Sequence, residues 1–272
     1  MRELSLFSGA GGGLLGTHLL GWRPVGYVEF NDYCQRVIRA RIDDGILPNA
    51  PIFGDIRAFV SDGYAASYQG MVDVITGGFP CQPFSNAGKQ LGADDPRNMW
   101  PSTIDAIRII RPRYCLLENV AALITNPYFG TIQGDLAESG YCVRWRRLSA
   151  AEVGAPHYRD RVWICAYAEG ERTRGLSVRS RGSQQTSTDI DGVGEDVADA
   201  GGSRHSPWER GTEARRPRPA ADGCGWWTVE PGVGRVANGV AHRVDRLKAA
   251  GNGQVPSVVR AAWHLLTDGA PC

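Results

Sequence analysis

One cysteine, Cys81, stands between two prolines in residues 78–85 (GFPCQPFS). A proline fixes φ and removes a backbone donor, so this segment can continue neither as a helix nor as a central strand. Cys81 is therefore predicted to lie in a shaped turn that presents its thiol. A presented thiol is suited to nucleophilic attack once it is ionised.

Two further groups of polar residues could assist a nucleophile. Glu118 and Asn119 follow an apolar run, where a carboxylic acid can donate a proton if its surroundings raise its pKa. Arg159 and Arg161 are two residues apart, so on an extended segment both would face the same side and could reach a carbonyl, a carboxylate or a phosphate. Taken by itself, a Glu-Asn pair after a strand is more often a helix cap, and an R-x-R segment is more often a solvated face.

A glycine loop, residues 7–13 (FSGAGGG), separates a predicted strand from a predicted helix. Its glycines allow a ligand to approach the helix N-terminus, but neither a P-loop ending nor the G-x-G-x-x-G spacing is present. An adenosine-like ligand without a phosphate at the loop fits better. Glu29 follows about 20 residues later, where a carboxylate can bind both ribose hydroxyls, as in sites for dinucleotides and S-adenosylmethionine. Asp55 could accept from an adenine amino group, with Ile56 and Phe7 on the two faces of the ring.

Alternating strands and helices must position these residues. Predicted strands cover residues 3–7, 25–28, 72–76, 114–117 and 161–166, and predicted helices cover 14–20, 103–110 and 258–266. The alternation predicts an open, doubly wound α/β sheet. Apolar periodicity disappears over residues 169–222, which predicts an insertion, a small irregular domain or a flexible segment.

Composition sets broad limits on function. The net charge of +1 over 272 residues permits a polyanionic partner without indicating one. No apolar run approaches the roughly 18 residues of a membrane helix, and the N-terminus lacks the pattern of a signal peptide, so a cytoplasmic protein is expected. The seven cysteines form no C-x-x-C pair, so no metal site is expected.

Taken together, the motifs resemble the DNA (cytosine-5)-methyltransferase family, of bacterial or phage type. The resemblance covers most of residues 1–167 and 233–272, and it rests on seven motifs in order: FSGAGG at 7–12, Glu29, Asp55, GFPCQP at 78–83, ENV at 118–120, RDR at 159–161 and GNGQVP at 251–256. Two residues depart from the family pattern. His157 replaces a glutamine, and Gln254 replaces an aliphatic residue.

The resemblance implies a Rossmann-like S-adenosylmethionine-dependent methyltransferase sheet with a small, irregular target recognition domain. Residues 1–167 would form the catalytic and cofactor-binding domain, residues 168–232 the target recognition region, and residues 233–272 a return to the catalytic domain. The implied cofactor is S-adenosylmethionine, with no metal. Its expected binding residues are Phe7, Gly9, Ala10, Gly11, Gly12, Glu29, Asp55, Ile56, Pro80 and Asn252.

The implied reaction gives each polar residue a role. Cys81 would add to C6 of a flipped-out cytosine, Glu118 would donate to N3, and Arg161 would bind the base oxygen. Arg159 and Asn119 complete the expected catalytic set, and no residue is assigned to removal of the C5 proton. A loop over residues 82–100 would close on the DNA, with contacts from Gln82, Ser85, Lys89 and Arg97.

The expected partner is double-stranded DNA, and the protein is expected to be a monomer. The resemblance also allows a cognate restriction endonuclease that acts separately. Three alternatives stay open: an RNA cytosine-5 methyltransferase of the same architecture, a non-catalytic DNA-binding protein of this fold, and a Rossmann dehydrogenase. The dehydrogenase would leave Cys81 unexplained.

Overall fold

The computed structural model describes residues 1–80, 97–168 and 241–268. In these ranges the chain forms a seven-stranded sheet in the order β3-β2-β1-β4-β5-β7-β6. The strands are β1 (Arg2–Leu6), β2 (Arg23–Val28), β3 (Ile52–Phe53), β4 (Val74–Gly77), β5 (Tyr114–Val120), β6 (Tyr141–Ser149) and β7 (Asp160–Ala168).

Strands β1 to β5 are parallel, and β7 lies antiparallel between β5 and β6. The chain first builds outward from β1 through β2 to β3, and then continues with β4 on the other side of β1. The connections after β1 and β4 therefore diverge, which opens a crevice at the carboxyl ends of these two strands. In open α/β sheets, this reversal of strand order is where ligands bind.

Helices cover both faces of the sheet. They are α1 (Gly12–His18), α2 (Asp32–Asp43), α3 (Ile56–Ser61), α4 (Trp100–Ile110), α5 (Tyr128–Glu138), α6 (Arg243–Asn252) and α7 (Pro256–Thr267), and 3₁₀ turns occur at Ala65–Tyr68, Ala121–Thr125 and Ala151–Val153. Local sequence signals explain where two of these helices begin. The Asn31 side chain accepts from the Cys34 amide to cap α2, and Pro256 occupies the first position of α7.

The alternation of side chains along each strand separates two main cores. On one face, α3, α4 and α5 pack on residues such as Leu4 and Ile75. On the other face, α7 packs on Val74, Leu116 and Trp163, while α1 and α2 enclose a smaller cluster around Tyr27. The site described below lies between these layers, at the end of the sheet where β1, β4 and β5 end.

The sequence prediction of a doubly wound α/β sheet is confirmed, and each predicted strand and helix corresponds to an observed one within a few residues. Six elements were not predicted: strands β3 and β6 and helices α2, α3, α5 and α6. The longest helices in the described ranges have 12 residues, short of the roughly 20 needed to cross a bilayer, so none of them could span a membrane.

Candidate active site

The glycine loop after β1 is held in a tight turn. Phe7 has φ +52°, Gly9 has φ +56° and Gly11, which precedes α1, has φ +92°. Phe7 is not a glycine, so its left-handed backbone is strained and must be held by its surroundings. The Ser8 hydroxyl, 3.0 Å from both the backbone carbonyl and the hydroxyl of Ser5, anchors the loop to the strand that precedes it.

Glu29 at the end of β2 faces this loop. Its carboxylate accepts from the backbone amide of Gly9 at 2.6 Å and from that of Asn31 at 2.8 Å, and the residue is 9% exposed. Two backbone donors thus fix the carboxylate beside the glycine loop. This position agrees with the predicted ribose contact, which stays a prediction.

Asp55 and Ile56 begin α3 and are engaged with the protein itself. The Asp55 carboxylate caps the helix through the Arg57 amide at 2.9 Å and pairs with the Arg57 guanidinium at 2.7 Å. These hydrogen bonds from Arg57 hold the pKa of Asp55 below its usual value. Ile56 is 3% exposed and packs in the core, which leaves it little free surface for an adenine ring. Both adenine contacts stay predictions.

The connection after β4 is tied to the end of β5 by Asn119. Its side-chain amide donates to the Phe79 carbonyl at 3.1 Å, and its oxygen accepts from the Val120 amide at 2.9 Å. Asn119 is 3% exposed, so this contact is shielded from water. Asn119 therefore fixes the backbone one residue before Pro80, the last residue described before Cys81.

Glu118, the neighbouring residue on β5, is 8% exposed and carries a carboxyl group paired with Arg161. Arg161 Nε donates to Glu118 Oε1 at 2.9 Å. Burial raises the pKa of Glu118 above its usual value, because desolvation disfavours the charged form. The positive charges of Arg161 and Arg159 oppose that rise.

The two arginines contact different partners. Arg161 lies on β7, whereas Arg159 precedes that strand with φ +35°. The expected extended conformation at Arg159 is therefore wrong, because its left-handed backbone turns the chain into β7. Arg159 Nη2 donates to the Gly253 carbonyl at 2.6 Å, and this contact connects the R-x-R segment to the turn between α6 and α7. Arg161 faces the carboxylate, one of its three expected partners.

A pocket at the ends of β1, β4 and β5 is lined by four of the predicted site residues. It contains about 480 Å³ of space, part of it open to solvent. Phe7, Gly9, Glu118 and Asn252 line it, whereas the other predicted residues in the described ranges, Glu29, Asp55 and Ile56 among them, do not. Asn252 is the last residue of α6 and Gly253 caps that helix.

Sequence reasoning missed several residues of the pocket wall. Ser5, Thr76, Trp163 and Gln254 line it. The indole N–H of Trp163 is buried and has no hydrogen-bond partner in the described part of the chain. Ser5, Thr76 and Trp163 lie within strands and carry no motif. Gln254 did give a signal, because it departs from the aliphatic residue expected there.

Several predicted residues fall in parts of the chain that the structure does not describe. Cys81, Gln82, Ser85 and Lys89 lie outside the described residues, as does the predicted recognition region except Ala168. Arg97 is described and is exposed just before α4. The roles of all five residues and the proposed domain boundaries stay predictions.

The sequence pattern of the C-5 cytosine-specific DNA methylase family matches residues 1–214, which is more than half of the chain. The chain belongs to this family. It is 35% identical over 169 residues to the type II methyltransferase M.NgoMIV of Neisseria gonorrhoeae, an alignment that covers 60% of this chain and 51% of that protein. It is 31% identical over 204 residues to M.AquIA of Picosynechococcus, covering 66% of this chain and 79% of the relative.

Family members differ in length, and the chain spans about half of M.NgoMIV but most of M.AquIA. Among solved structures, the S. pombe Dnmt2 methyltransferase superposes with a TM-score of 0.50 at 22% identity, covering 62% of this chain and 51% of that one. At this identity the likeness concerns the fold, and it agrees with the Rossmann-like sheet predicted from the sequence.

Proposed function

We propose that the protein transfers a methyl group from S-adenosylmethionine to C5 of a cytosine in double-stranded DNA. One observation carries the proposal: the carboxyl of Glu118 lines the same pocket as Phe7 and Gly9 of the glycine loop. A proton donor for the base and a binding loop for the methyl donor thus share one cavity. Membership of the cytosine-specific family supports this choice of substrate.

The residues present fit the cofactor. A Cβ built on Gly9 meets nothing within 4 Å, so the loop backbone borders open space that an adenosine or methionine group could occupy. Glu29 supplies a fixed carboxylate beside that loop for the ribose hydroxyls. When bound, S-adenosylmethionine would supply the electrophilic methyl group that C5 receives.

Residues of the chain activate C5 of cytosine for methyl transfer. Cytosine C5 is a weak nucleophile, and addition of the Cys81 thiolate to C6 makes C5 electron-rich. Glu118 donates a proton at N3 as negative charge enters the ring, and Arg161 binds the base oxygen while holding that carboxyl. After methyl transfer, a water molecule takes the C5 proton, the ring expels the Cys81 thiolate by β-elimination, and N3 returns its proton to Glu118.

Access to the pocket requires the base to leave the helix. A cytosine stacked in a duplex cannot contact Cys81 and Glu118 at the same time, so the protein must bind the base flipped out. We assign Gln82, Ser85, Lys89 and Arg97 to contacts with the surrounding DNA. Target choice is assigned to residues 168–232.

Labelled S-adenosylmethionine tests the proposal directly. The protein should label duplex DNA and not RNA of the same sequence, and Cys81→Ser should abolish labelling while cofactor binding survives. DNA with 5-fluorocytosine should trap a covalent complex, because fluorine at C5 cannot leave as a proton does. Labelling of RNA alone would replace the substrate assignment, and labelling by Cys81→Ser would refute the nucleophile.

A partner follows from the type II relatives. We infer that a restriction endonuclease of the same sequence specificity acts separately on unmodified DNA. Methylation-sensitive sequencing of treated DNA would give the target sequence, and an endonuclease that cuts this sequence should fail on treated DNA. Continued cutting of fully methylated sites would contradict the pairing.

A further inference from the structure

Gln254 lies in the turn between α6 and α7, packed on the start of α1. A Cβ built on Gly12 would lie 2.5 Å from the Gln254 carbonyl oxygen and 3.2 Å from its backbone nitrogen. The Gln254 backbone therefore touches the glycine loop in the space that a side chain on Gly12 would need. This contact places Gln254 at the rim of the pocket.

The side chain of Gln254 extends from this turn to the catalytic carboxyl. Its Oε1 packs on Gly13, in the space that a Cβ there would need. A Cβ built on Gly78 would lie 3.1 Å from Gln254 Nε2 and 2.8 Å from Glu118 Oε2. The amide nitrogen and the carboxyl oxygen thus both lie close to Gly78, and the Gln254 side chain hydrogen-bonds to Glu118.

We propose that Gln254 is a positioning residue that holds the Glu118 carboxyl for its reaction with the base. The inference rests on the proposed function, since it assumes that Glu118 acts on a cytosine. Arg161 Nε donates to Oε1, while Oε2 is the oxygen next to Gly78 and Gln254 Nε2. Because Arg161 and Gln254 both hydrogen-bond to the carboxyl group, its rotation is restricted.

The same side chain connects the two halves of the site. Gln254 contacts Gly12 and Gly13 on the cofactor side and Glu118 on the base side. An aliphatic side chain at this position could fill the space above Gly78 but could not donate a hydrogen bond. A hydrogen bond to a buried carboxylate favours its charged form, as do the nearby charges of Arg161 and Arg159.

The test compares two isosteric variants with a neighbouring control. Gln254→Met removes the donor at similar length, Gln254→Glu replaces it with a second carboxyl, and Ser257→Ala alters an exposed residue in the first turn of α7. The carboxyl of Glu118 is titrated by ¹³C NMR in labelled protein without DNA, with Glu118→Gln used to assign the signal. Kinetics on duplex DNA are measured across pH.

Loss of one charge-assisted hydrogen bond should raise the NMR midpoint of Glu118 by about one pH unit in Gln254→Met, and further in Gln254→Glu. The alkaline limb of kcat should move upward with it, and kcat should fall about tenfold while the KM for DNA changes less than threefold. Ser257→Ala should match the wild type in every measurement.

An NMR midpoint for Gln254→Met equal to that of the wild type would overturn the inference, as would an unchanged kcat profile. The NMR titration needs no turnover, so it decides the role of Gln254 even if the wild-type protein methylates nothing. Absence of methylation by the wild type at every pH would instead refute the proposed function.

Discussion

Arg161 and Glu118 form a diagonal pair across two antiparallel strands, with Nε and Oε1 2.9 Å apart. In the register of β5 and β7, Arg161 stands opposite Val120, and Glu118 stands opposite Trp163. Side chains two residues apart share a face of the sheet, so the strand register alone brings the arginine over the carboxyl. Only 24% and 10% of the two side chains are exposed, so water screens the pair weakly.

Replacing Arg161 should impair turnover and move its pH dependence. Arg161→Gln removes the charge that most lowers the pKa of Glu118, so the alkaline limb of kcat should shift upward while kcat falls about 100-fold. Arg161→Lys keeps the charge but loses the planar guanidinium, so it should recover only part of the rate.

Arg108→Gln is the matched control. Arg108 lies in the last turn of α4, at the opposite end of the sheet from the pocket, and its ion pairs with Asp105 and Asp135 are partly exposed. Steady-state kinetics from pH 5 to pH 10 should leave this variant at wild-type values. An unchanged pH profile in Arg161→Gln would show that the pair does not tune Glu118.

Removing the side chain of Asn119 should slow attack by Cys81 while leaving cofactor binding intact. Asn119→Ala frees the Phe79 carbonyl from its buried donor, so the backbone that leads to Cys81 loses a fixed point. We expect adduct formation with 5-fluorocytosine DNA to slow by about 10-fold to 100-fold.

Asn119→Asp separates the two hydrogen bonds of this residue. It keeps an acceptor for the Val120 amide and loses the donor to Phe79, so it should slow trapping at least as much as Asn119→Ala. Rapid-quench measurement of the covalent complex gives the rate. A wild-type rate in Asn119→Asp would assign the role to the Val120 contact instead.

Glu29→Gln should weaken binding of S-adenosylmethionine. In the wild type, the backbone amides of Gly9 and Asn31 each donate to one carboxylate oxygen of Glu29. Glu29→Gln replaces one of these oxygens with an N–H₂ group, which opposes a backbone donor, and it removes the carboxylate that would accept from the ribose. Calorimetry should show at least a tenfold increase in Kd. Glu138→Gln, on the exposed end of α5, should keep the wild-type Kd, and equal affinities in both variants would remove Glu29 from the cofactor site.

Two glycine substitutions should change the free energy of unfolding in opposite directions. A Cβ on Gly16 of α1 would lie 2.5 Å from Val259 Cβ and 2.9 Å from the Pro256 carbonyl oxygen, so Gly16→Ala must push α1 and α7 apart at a cost of about 1–3 kcal/mol. On Gly134 of α5 a Cβ meets nothing within 4 Å, so Gly134→Ala should stabilise by up to about 1 kcal/mol. Urea unfolding measures both changes, and a stabilised Gly16→Ala would contradict this packing.

Glu3 should make stability fall between acidic and neutral pH. It is fully buried between the hydroxyls of Thr17 and Thr76, each 2.6 Å away, and burial raises its pKa from an ordinary value of 4.5 to about 7. Between these two values the folded chain keeps a proton that the unfolded chain has lost. The stability from this group is therefore complete below pH 4.5 and is lost as the pH rises to about 7.

Glu3→Gln has no such titration and can still hydrogen-bond to both hydroxyls. The free energy of unfolding of Glu3→Gln minus that of the wild type should increase by roughly 3 kcal/mol as the pH rises from 4.5 to 7.5, because only the wild type loses stability over this range. Urea unfolding at a series of pH values gives this difference. A constant difference between the two proteins over this range would show that Glu3 is ionised in the fold.

Much of the fold could be predicted from the sequence because its signals are local. Buried parallel strands appear as short apolar runs, and the glycine loop marks the connection from β1 to α1. Helix α5 and strand β6 were missed because their burial is set by tertiary contacts: β6 carries Arg144, Arg146 and Arg147 in a sheet that it borders only on one side. Such an edge strand has no apolar run to detect.

By itself, the sequence determined which chemical groups the protein has and their order along the chain, including the thiol of Cys81, the acid Glu118 and the arginines of the R-x-R segment. Only the tertiary structure decided that Arg161 pairs with Glu118, that Arg159 turns toward Gly253 and that Gln254 reaches the same carboxyl. These contacts join residues separated by 43 to 136 positions in the chain. Strand register and the packing of α7 against α1 set their distances, and neither is encoded in any one stretch of sequence.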